Sequence, residues 1–261
     1  PKDLRGLVGG SALPETLAAT FEKEFGVRLE HGWGMTEMSP VGAYNAPKPE
    51  NKGMTPEQYL SGHVRKQGRP PFGVEMKIID EHGVSLPHDG TTRGELCVRG
   101  PWITSGYFEA DAADNEAAFT ADGWFRTGDV VTIDEGGYMH IVDRVKDLIK
   151  SGGEWISSIE LENLALAVPG IREAAAVPAR HPKWDERPIL IVVPEADRKL
   201  DEADVRTALS LHLKPWMLPD AIVFVDELPH AATGKILKRK LRDDYANYLL
   251  DNGLTGTASG T

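Results

Sequence analysis

The fold is decided in one stretch of the 261-residue chain, residues 143–157, which reads Asp143-Arg144-Val145-Lys146-Asp147-Leu148-Ile149-Lys150-Ser151-Gly152-Gly153-Glu154-Trp155-Ile156-Ser157. Charges alternate here, and a predicted Ser-Gly-Gly turn follows them. Because glycine tolerates backbone torsions that other residues resist, the stretch predicts a hinge between two differently patterned regions. At its end, Ser157-Ser158-Ile159-Glu160 has the form of a capping box, which predicts the start of a helix.

On the N-terminal side, residues 1–142 are predicted to form the C-terminal part of a large domain. Residues 1–68 have an α/β pattern, with strands at 4–8 and 27–30, a helix at 13–25 and a Gly32-rich turn. The stretch 46–68 is rich in Pro, Lys, Gly and Asn and predicts a surface loop with some local helix.

Residues 69–142 are predicted to be a small β-rich subdomain, because short apolar runs alternate with turn residues. The predicted strands cover 75–80, 94–99, 130–134 and 138–142. The last two flank Glu135-Gly136-Gly137 as a hairpin.

On the C-terminal side, residues 143–252 predict a compact α+β domain with its hinge at 143–146. Strands are expected at 174–177, 189–193 and 221–225, and helices after Ser157 and at 202–213. A final helix is predicted to carry Leu237, Leu241, Tyr245 and Leu249 on one face. The Gly/Thr/Ser tail, 253–261, is predicted to be disordered.

Composition excludes several classes of protein. A formal net charge of −11 argues against a general nucleic-acid binder, which needs clustered Lys and Arg. The single cysteine, Cys97, excludes an intrachain disulfide framework and is predicted to be a packing residue in a strand. No apolar run approaches the roughly 20 residues of a membrane-spanning helix. We therefore expect a cytoplasmic protein.

The first candidate motif is Gly32-Trp33-Gly34-Met35-Thr36-Glu37. Glycines flanking an aromatic residue allow the backbone to approach a flat ring or a phosphate closely. Thr36 offers a hydroxyl, and Glu37 offers a hard oxygen ligand suited to Mg²⁺ beside a triphosphate. By itself the motif is equally typical of a helix start.

A second motif, Gly123-Trp124-Phe125-Arg126-Thr127-Gly128-Asp129, places an aspartate where it could accept hydrogen bonds from ribose hydroxyls. A tight turn with an Asx hydrogen bond is the structural alternative.

A third motif, Leu228-Pro229-His230-Ala231-Ala232-Thr233-Gly234-Lys235, holds a lysine on a short turn before a basic helix. An ammonium group placed there could stabilise negative charge during adenylyl transfer. The following Lys238, Arg239, Lys240 and Arg242 are interpreted as a solvated helix start, with contact to the phosphates of CoA as the alternative.

Together with Gly94-Glu95-Leu96-Cys97-Val98-Arg99-Gly100 and Gly106-Tyr107, these motifs resemble in order and separation the adenylate-forming superfamily. That superfamily comprises acyl- and aryl-CoA synthetases, firefly luciferase and the adenylation domains of peptide synthetases. The resemblance covers nearly the whole chain. Residues 143–158 and 181–188 resemble the fatty-acyl-CoA synthetase version of these motifs. Trp33 and Met38-Ser39-Pro40 favour medium- or long-chain fatty acids or related short acids. The implied fold is the end of the large α/β domain followed by a small, mobile α+β domain.

The resemblance also implies roles for individual residues. Those implied to bind ATP or AMP are Gly10, Ser11, Ala12, Gly32, Trp33, Gly34, Met35, Thr36, Asp129, Arg144, Trp155 and Lys235. Among these, Trp33 would stack near adenine, Thr36 would touch phosphate, and Asp129 and Arg144 would bind ribose. Glu37 would hold Mg²⁺, and Lys235 would act in adenylation. Asp143 and Lys146 would form the hinge, and Lys150, Ser151, Gly152 and Gly153 would face the thioester-forming step.

The implied reaction joins a fatty or other carboxylic acid to CoA through an acyl-adenylate, with ATP, Mg²⁺ and CoA as cofactors or co-substrates. Relatives often form homodimers. The family's Pro-Lys-terminated phosphate loop is expected before Gly9 and is not present, so we expect a fragment that is inactive alone. Two alternatives stay open: adenylation with a carrier-protein or other acceptor, and a non-catalytic binding module that kept the fold.

Overall fold

The structure is a computed structural model that describes residues 4, 6–10, 13–49, 53–196, 198, 200–232 and 234–254. Contacts divide the chain between Val142 and Asp143 into two units, each built around its own cores. The predicted combination of an α/β start, a β-rich part and an α+β part is confirmed.

The first sheet of unit 1 is built from β1 (Gly6–Gly9), β2 (Leu29–Gly34) and β3 (Val41–Tyr44). Strands β1 and β2 are parallel and are connected through α1 (Glu15–Phe25), whereas β3 is antiparallel to β2. Parallel strands need such a crossover because a tight hairpin can join only antiparallel neighbours. Helix α1 packs its buried Ala18 on this sheet and ends at Gly26, whose left-handed backbone (φ 64°) caps the helix.

Two predictions for this region are wrong. Strand β2 continues to Gly34, because Gly32 and Trp33 pair with β3, so the glycines lie in a strand and not in a turn. The segment 46–68 does contain the predicted local helix, as α2 (Pro56–Gln58) and a π-helical turn (Tyr59–His63), but it is not a surface loop throughout, because Gln67 is buried.

The side chain of Gln67 explains why a polar segment is buried. Its amide nitrogen lies 3.2 Å from His31 Nδ1, and its Oε1 accepts a 2.6 Å hydrogen bond from the Ile141 backbone nitrogen. Buried polar groups need such partners. Sequence composition alone does not reveal them.

The second sheet of unit 1 has the strand order β4 (Glu75–Ile79), β5 (Gly94–Arg99), β6 (Phe125–Ile133) and β7 (Met139–Arg144). A short helix, α3 (Ala112–Ala117), lies between β5 and β6 in the chain. Cys97 is fully buried beside Ile79 and Trp124, which confirms its packing role, and burial raises the pKa of its thiol to about 11.

Strand β6 starts five residues before its predicted start at residue 130. Phe125 and Arg126 pair with β5, and the register then shifts so that residues 127–129 lie opposite the single residue Leu96. A bulge of this kind bends a strand and redirects a side chain. The Thr-Gly-Asp sequence that suggested a turn forms this bulge.

Unit 2 contains a sheet in which β10 (Ile171–His181), β11 (Asp185–Pro194), β8 (Ile149–Ser151) and β9 (Glu154–Ile156) are neighbours in that order. A fifth strand, β12 (Ala221–Phe224), lies parallel to β11. The helices are α4 (Ser158–Leu166), α5 (Glu202–Ser210), α6 (Lys238–Tyr245) and α7 (Tyr248–Asp251).

Both faces of this sheet are covered. Leu190 and Val192 of β11 point into a core with α4 and α5, while the alternate residues Ile189 and Ile191 point into a core with α6 and α7. Strands buried on both faces are continuous apolar runs, as the run Ile189–Val193 illustrates. None of the helices in the described part of the chain has the length and apolar character that a membrane crossing demands.

Unit 2 differs from prediction at two places. The Ser-Gly-Gly sequence is the tip of the β8–β9 hairpin, where Gly152 and Gly153 both have positive φ, as a two-residue hairpin turn requires. The predicted final helix is divided, because the Ala246 carbonyl accepts a hydrogen bond from Arg180 of β10. Leu241 and Leu249 are buried, but Leu237 precedes α6 and is exposed. Most of the predicted disordered tail, residues 255–261, lies outside the described residues.

The double-sided burial of β11 predicts a large cost for shortening its side chains. Leu190 is 0 % exposed, so Leu190→Ala should lower the free energy of unfolding by about 2–5 kcal/mol through lost burial and a cavity. Leu211→Ala, at a leucine 76 % exposed in the same unit, should change it by less than about 0.5 kcal/mol. Urea unfolding followed by circular dichroism measures both, and equal losses would contradict this packing.

Candidate functional site

In unit 1 the first two sequence motifs meet at one hydrogen bond. Trp33 on β2 donates from Nε1 to Oδ2 of Asp129 on β6, at 2.9 Å. Asp129 is only 4 % exposed, and its backbone nitrogen donates to the Thr127 hydroxyl at 3.1 Å. The Thr127 hydroxyl in turn donates to the Leu96 carbonyl at 2.9 Å. The bulge therefore fixes the carboxylate beside the indole ring.

Directly after Trp33, the chain turns sharply. Thr36–Met38 forms a single 3₁₀ turn, and a Cβ atom at Gly34 would overlap the Pro40 carbonyl oxygen. Only glycine therefore fits at position 34 without rearrangement. The turn leaves Thr36 exposed and Glu37 half-buried.

The Glu37 side chain is held by a residue far away in the sequence. Its Oε1 accepts a 2.8 Å hydrogen bond from the Tyr107 hydroxyl, and its backbone carbonyl accepts one of 2.8 Å from Thr104. Partial burial, followed by the hydrogen bond to Glu37, raises the pKa of Tyr107. Tyr107 thus stays a protonated donor that orients the carboxylate.

The donor set at Glu37 fits a magnesium ion bound together with a phosphate-bearing ligand. Mg²⁺ usually takes one or two carboxylates and completes its shell with water and substrate phosphates. No group of three or more His, Cys, Asp or Glu side chains suited to a metal occurs among the described residues. Among the described residues, Glu37 would be the carboxylate that holds such an ion, with the exposed Thr36 hydroxyl close to it in the chain.

The predicted acyl and adenine segment is only partly described. Gly9 pairs with Gly32 of β2, and Gly10 follows with a positive φ of 80°. Gly10 therefore lies next to the strand that carries Trp33. Ser11 and Ala12 lie outside the described residues.

Unit 2 begins with a buried carboxylate. Oδ2 of Asp143 accepts hydrogen bonds from the Ser158 backbone nitrogen (2.5 Å) and hydroxyl (2.8 Å), while Oδ1 accepts from the Arg144 nitrogen (2.7 Å). A negative charge is stabilised at the N-terminus of α4 by the helix dipole. The side chains of Arg144 and Lys146 are exposed on either side of Val145.

The β8–β9 hairpin carries the residues predicted for the thioester step. Ser151 is buried, and its hydroxyl accepts a 2.9 Å hydrogen bond from Arg187 Nη1. The Gly152-Gly153 turn is exposed, and the Lys150 ammonium lies 5.6 Å from the centroid of the Trp155 ring. The turn backbone, Lys150 and Trp155 are accessible to a ligand, whereas the Ser151 hydroxyl is not.

Lys235 lies exposed at the end of a tight turn. The Ala231 nitrogen donates to the Lys235 carbonyl at 2.8 Å, and the Gly234 nitrogen donates to the Ala231 carbonyl at 2.9 Å. A β-bridge between His230 and Ile236 closes the base of the turn. Thr233 lies outside the described residues.

Comparison with known protein families matches both units. Residues 1–108 match the family model described as AMP-binding enzyme, and residues 160–235 match the one described as AMP-binding enzyme C-terminal domain. Together the two matches cover more than half of the chain. This chain belongs to the AMP-binding enzyme family.

The AMP-binding enzyme chain is similar to curated CoA ligases. It is 49% identical over 245 residues to the 3-methylmercaptopropionyl-CoA ligase of Ruegeria lacuscaerulensis and 48% identical over 247 residues to the medium-chain-fatty-acid–CoA ligase of Ectopseudomonas oleovorans. Each match covers 94% of this chain but 44% of the relative. The chain therefore spans less than half the length of these relatives.

A solved structure of an AMP-binding enzyme relative shows the same fold. ATP-bound MatB from Rhodopseudomonas palustris superposes with a TM-score of 0.80 at 29% identity, over 93% of this chain and 45% of that one. The similarity extends through both units.

Sequence reasoning missed three contacts in this chain. Tyr107 belongs to the Gly106-Tyr107 motif, but nothing in the sequence connects it to Glu37, 70 residues away. Arg187 holds the Ser151 hydroxyl, and Lys238 is bound inside unit 2 and not solvated. All three are long-range contacts, which local patterns do not encode.

The tight turn after Trp33 can be tested by adding one methyl group. Gly34→Ala should lower the free energy of unfolding by about 1–3 kcal/mol, because the Cβ atom overlaps the Pro40 carbonyl. Gly62→Ala, where the new Cβ meets open space in a helical turn, should leave stability unchanged or raise it by up to about 1 kcal/mol. Thermal unfolding of the two variants distinguishes these signs, and a Gly34→Ala protein as stable as the parent would refute the turn geometry.

Proposed function

We propose that the protein is an ATP-dependent carboxylic acid–CoA ligase that acts on fatty or related short acids. The observation that carries this proposal is the contact between Trp33 and Asp129 next to the Glu37 turn, since it assembles an aromatic ring, a buried carboxylate and a metal-suited carboxylate in one unit. The printed names of the two curated relatives, both CoA ligases, support the same reaction.

In the proposed nucleotide complex, Trp33 lies against adenine. Asp129 accepts hydrogen bonds from the ribose hydroxyls, and Arg144 donates hydrogen bonds to the ribose. The hydrogen bond from Trp33 fixes the position of the Asp129 carboxylate before the ligand arrives. Such preorganisation reduces the entropy lost on binding. Gly10 leaves room beside β2, and Trp155 contributes a second aromatic surface near the nucleotide.

The first half-reaction is adenylation. A carboxylate oxygen of the acid attacks the α-phosphorus of ATP, the bond from that phosphorus to the bridging oxygen breaks, and pyrophosphate leaves. The Lys235 ammonium stabilises the negative charge that develops on the α-phosphate and the attacking carboxylate. Mg²⁺, held by Glu37, neutralises phosphate charge when it is bound.

The second half-reaction forms the thioester. The CoA thiolate attacks the acyl carbon of the adenylate and AMP leaves with the bonding electrons. Unit 2 is proposed to rotate about residues 143–146, which removes Lys235 and brings the Lys150–Gly153 hairpin to the reacting groups. Since Ser151 is bound to Arg187, the exposed backbone of Gly152 and Gly153 is the part of the hairpin suited to lie beside the CoA thiol.

ATP–pyrophosphate exchange tests this proposal in the complete gene product, with a panel of acids from about C3 to C18. We expect exchange that depends on one acid class and falls by about 10²–10³-fold in Lys235→Ala, because one preorganised charge is lost from the transition state. Lys240→Ala, which removes an exposed lysine that forms an ion pair with Asp244 on its own helix, should keep exchange within about twofold.

Two outcomes would oppose the proposal. The absence of exchange with every acid, in folded protein, would reject adenylation. Exchange without CoA-dependent AMP release would keep adenylation but reject CoA as the acceptor.

A further inference from the structure

Two basic residues of α6 lie in the interior of unit 2, although the helix as a whole is strongly basic. Lys238 and Arg242 are four residues apart and therefore share one helix face. The side chain of Lys238 is 17 % exposed and that of Arg242 is similarly buried, whereas the side chain of Lys240 is 60 % exposed. Lys238 and Arg242 are therefore much less accessible to a ligand in solution than the exposed residues of the same helix.

Lys238 connects α6 to α4. Its ammonium group lies 2.7 Å from Glu162 Oε1 and donates to the Ser158 hydroxyl at 2.7 Å. Glu162 Oε1 also accepts a 2.8 Å hydrogen bond from the Ala176 backbone nitrogen of β10. The ammonium thus joins α6 to α4, which lies nearly 80 residues earlier in the sequence.

The connection continues to the first residue of unit 2. The Ser158 hydroxyl, which accepts from Lys238, donates its own proton to Asp143 at 2.8 Å. These hydrogen bonds therefore run in one direction: Lys238 donates to Ser158, and Ser158 donates to Asp143.

Arg242 makes a second, separate connection to the same segment. Its Nη1 forms an ion pair with the Asp147 carboxylate and donates to the Lys146 carbonyl at 3.2 Å. Lys238 is thus linked through Ser158 to the beginning of the segment 143–147, and Arg242 contacts its end directly. We call these two side chains and their partners the α6 clamp.

Stability alone does not account for the α6 clamp. Desolvation of a buried ion pair offsets most of its Coulomb attraction, and apolar residues of similar size often replace such pairs without loss. Burial also raises the pKa of Glu162, which shows that its charged form is costly at this position. What the α6 clamp supplies is a fixed geometry.

The α6 clamp lies close to Lys235 in the sequence. Lys238 follows Lys235 by three residues, and the Leu237 nitrogen donates to the Pro229 carbonyl at 2.7 Å, across the intervening turn. We propose that Lys238 and Arg242 are positioning residues, which tie the Lys235 turn to the segment 143–147 so that the lysine and the hinge segment move as one body. The consequence for catalysis rests on the proposed function; the mechanical coupling does not.

Hydrogen–deuterium exchange of the complete protein tests the coupling without any assay of activity. In the double variant Lys238→Met/Arg242→Met, amides of the turn, such as those of Ala231 and Gly234, should exchange at least about tenfold faster. Lys240→Met, which alters the solvated face of the same helix, should leave these rates unchanged. Equal rates in all three proteins would overturn the proposal. If the double variant does not fold, each single variant carries the same expectation.

Separate half-reactions test the catalytic consequence. The double variant should lose about 10²-fold in the maximal rate of adenylation, with the KM for the acid changed little, because misplacement of a catalytic group by about 1 Å has this effect. Its rate of thioester formation from added acyl-adenylate should stay within about twofold, and the pair Lys238→Arg and Arg242→Lys should recover much of the loss. Equal losses in both half-reactions would assign the α6 clamp a general structural role and overturn the proposal. A wild-type protein without acid-dependent exchange would instead reject the proposed ligase function, and hydrogen exchange would still decide the coupling.

Discussion

The hydrogen bond from Trp33 to Asp129 is the interaction on which the candidate site in unit 1 depends. It joins the two sheets of that unit and holds an indole ring beside a buried carboxylate. Each partner is placed by a local backbone feature. Trp33 lies on β2 directly before the turn that requires Gly34, and Asp129 lies at the end of the β6 bulge. An aromatic surface and a carboxylate are consequently fixed before any ligand binds, which is the condition for electrostatic preorganisation.

In unit 2, a different buried carboxylate anchors the first residue. Asp143 stands at the boundary between the units and is buried at the N-terminus of α4, so the first residue of the proposed hinge is anchored while Arg144, Val145 and Lys146 are exposed. The α6 clamp then extends this anchor towards Lys235, and a movement of the segment would carry the lysine with it.

The sequence predicted the fold class and most elements, since apolar runs, glycine turns and the Ser157 cap act locally. Strand β5 has the predicted bounds, and Ser157 accepts the predicted hydrogen bond from Glu160. Predictions failed where pairing at a distance overrides local preference, as in β2, which continues through Gly32, and in β6, where pairing with β5 turns an expected tight turn into a bulge. The Trp33–Asp129 contact spans 96 residues, and the resemblance of motifs suggested a shared ligand but not this bond.

A double-mutant cycle on AMP binding tests the central claim most directly, namely that Trp33 and Asp129 act as one preorganised surface. Isothermal titration of the complete protein would compare Trp33→Phe, Asp129→Asn and the double variant. Residues that act through a shared hydrogen bond should show a coupling energy of about 0.5–3 kcal/mol. Losses that add to within about 0.3 kcal/mol would show that the two side chains act independently, and AMP affinity unaffected by any of the three would contradict the site itself.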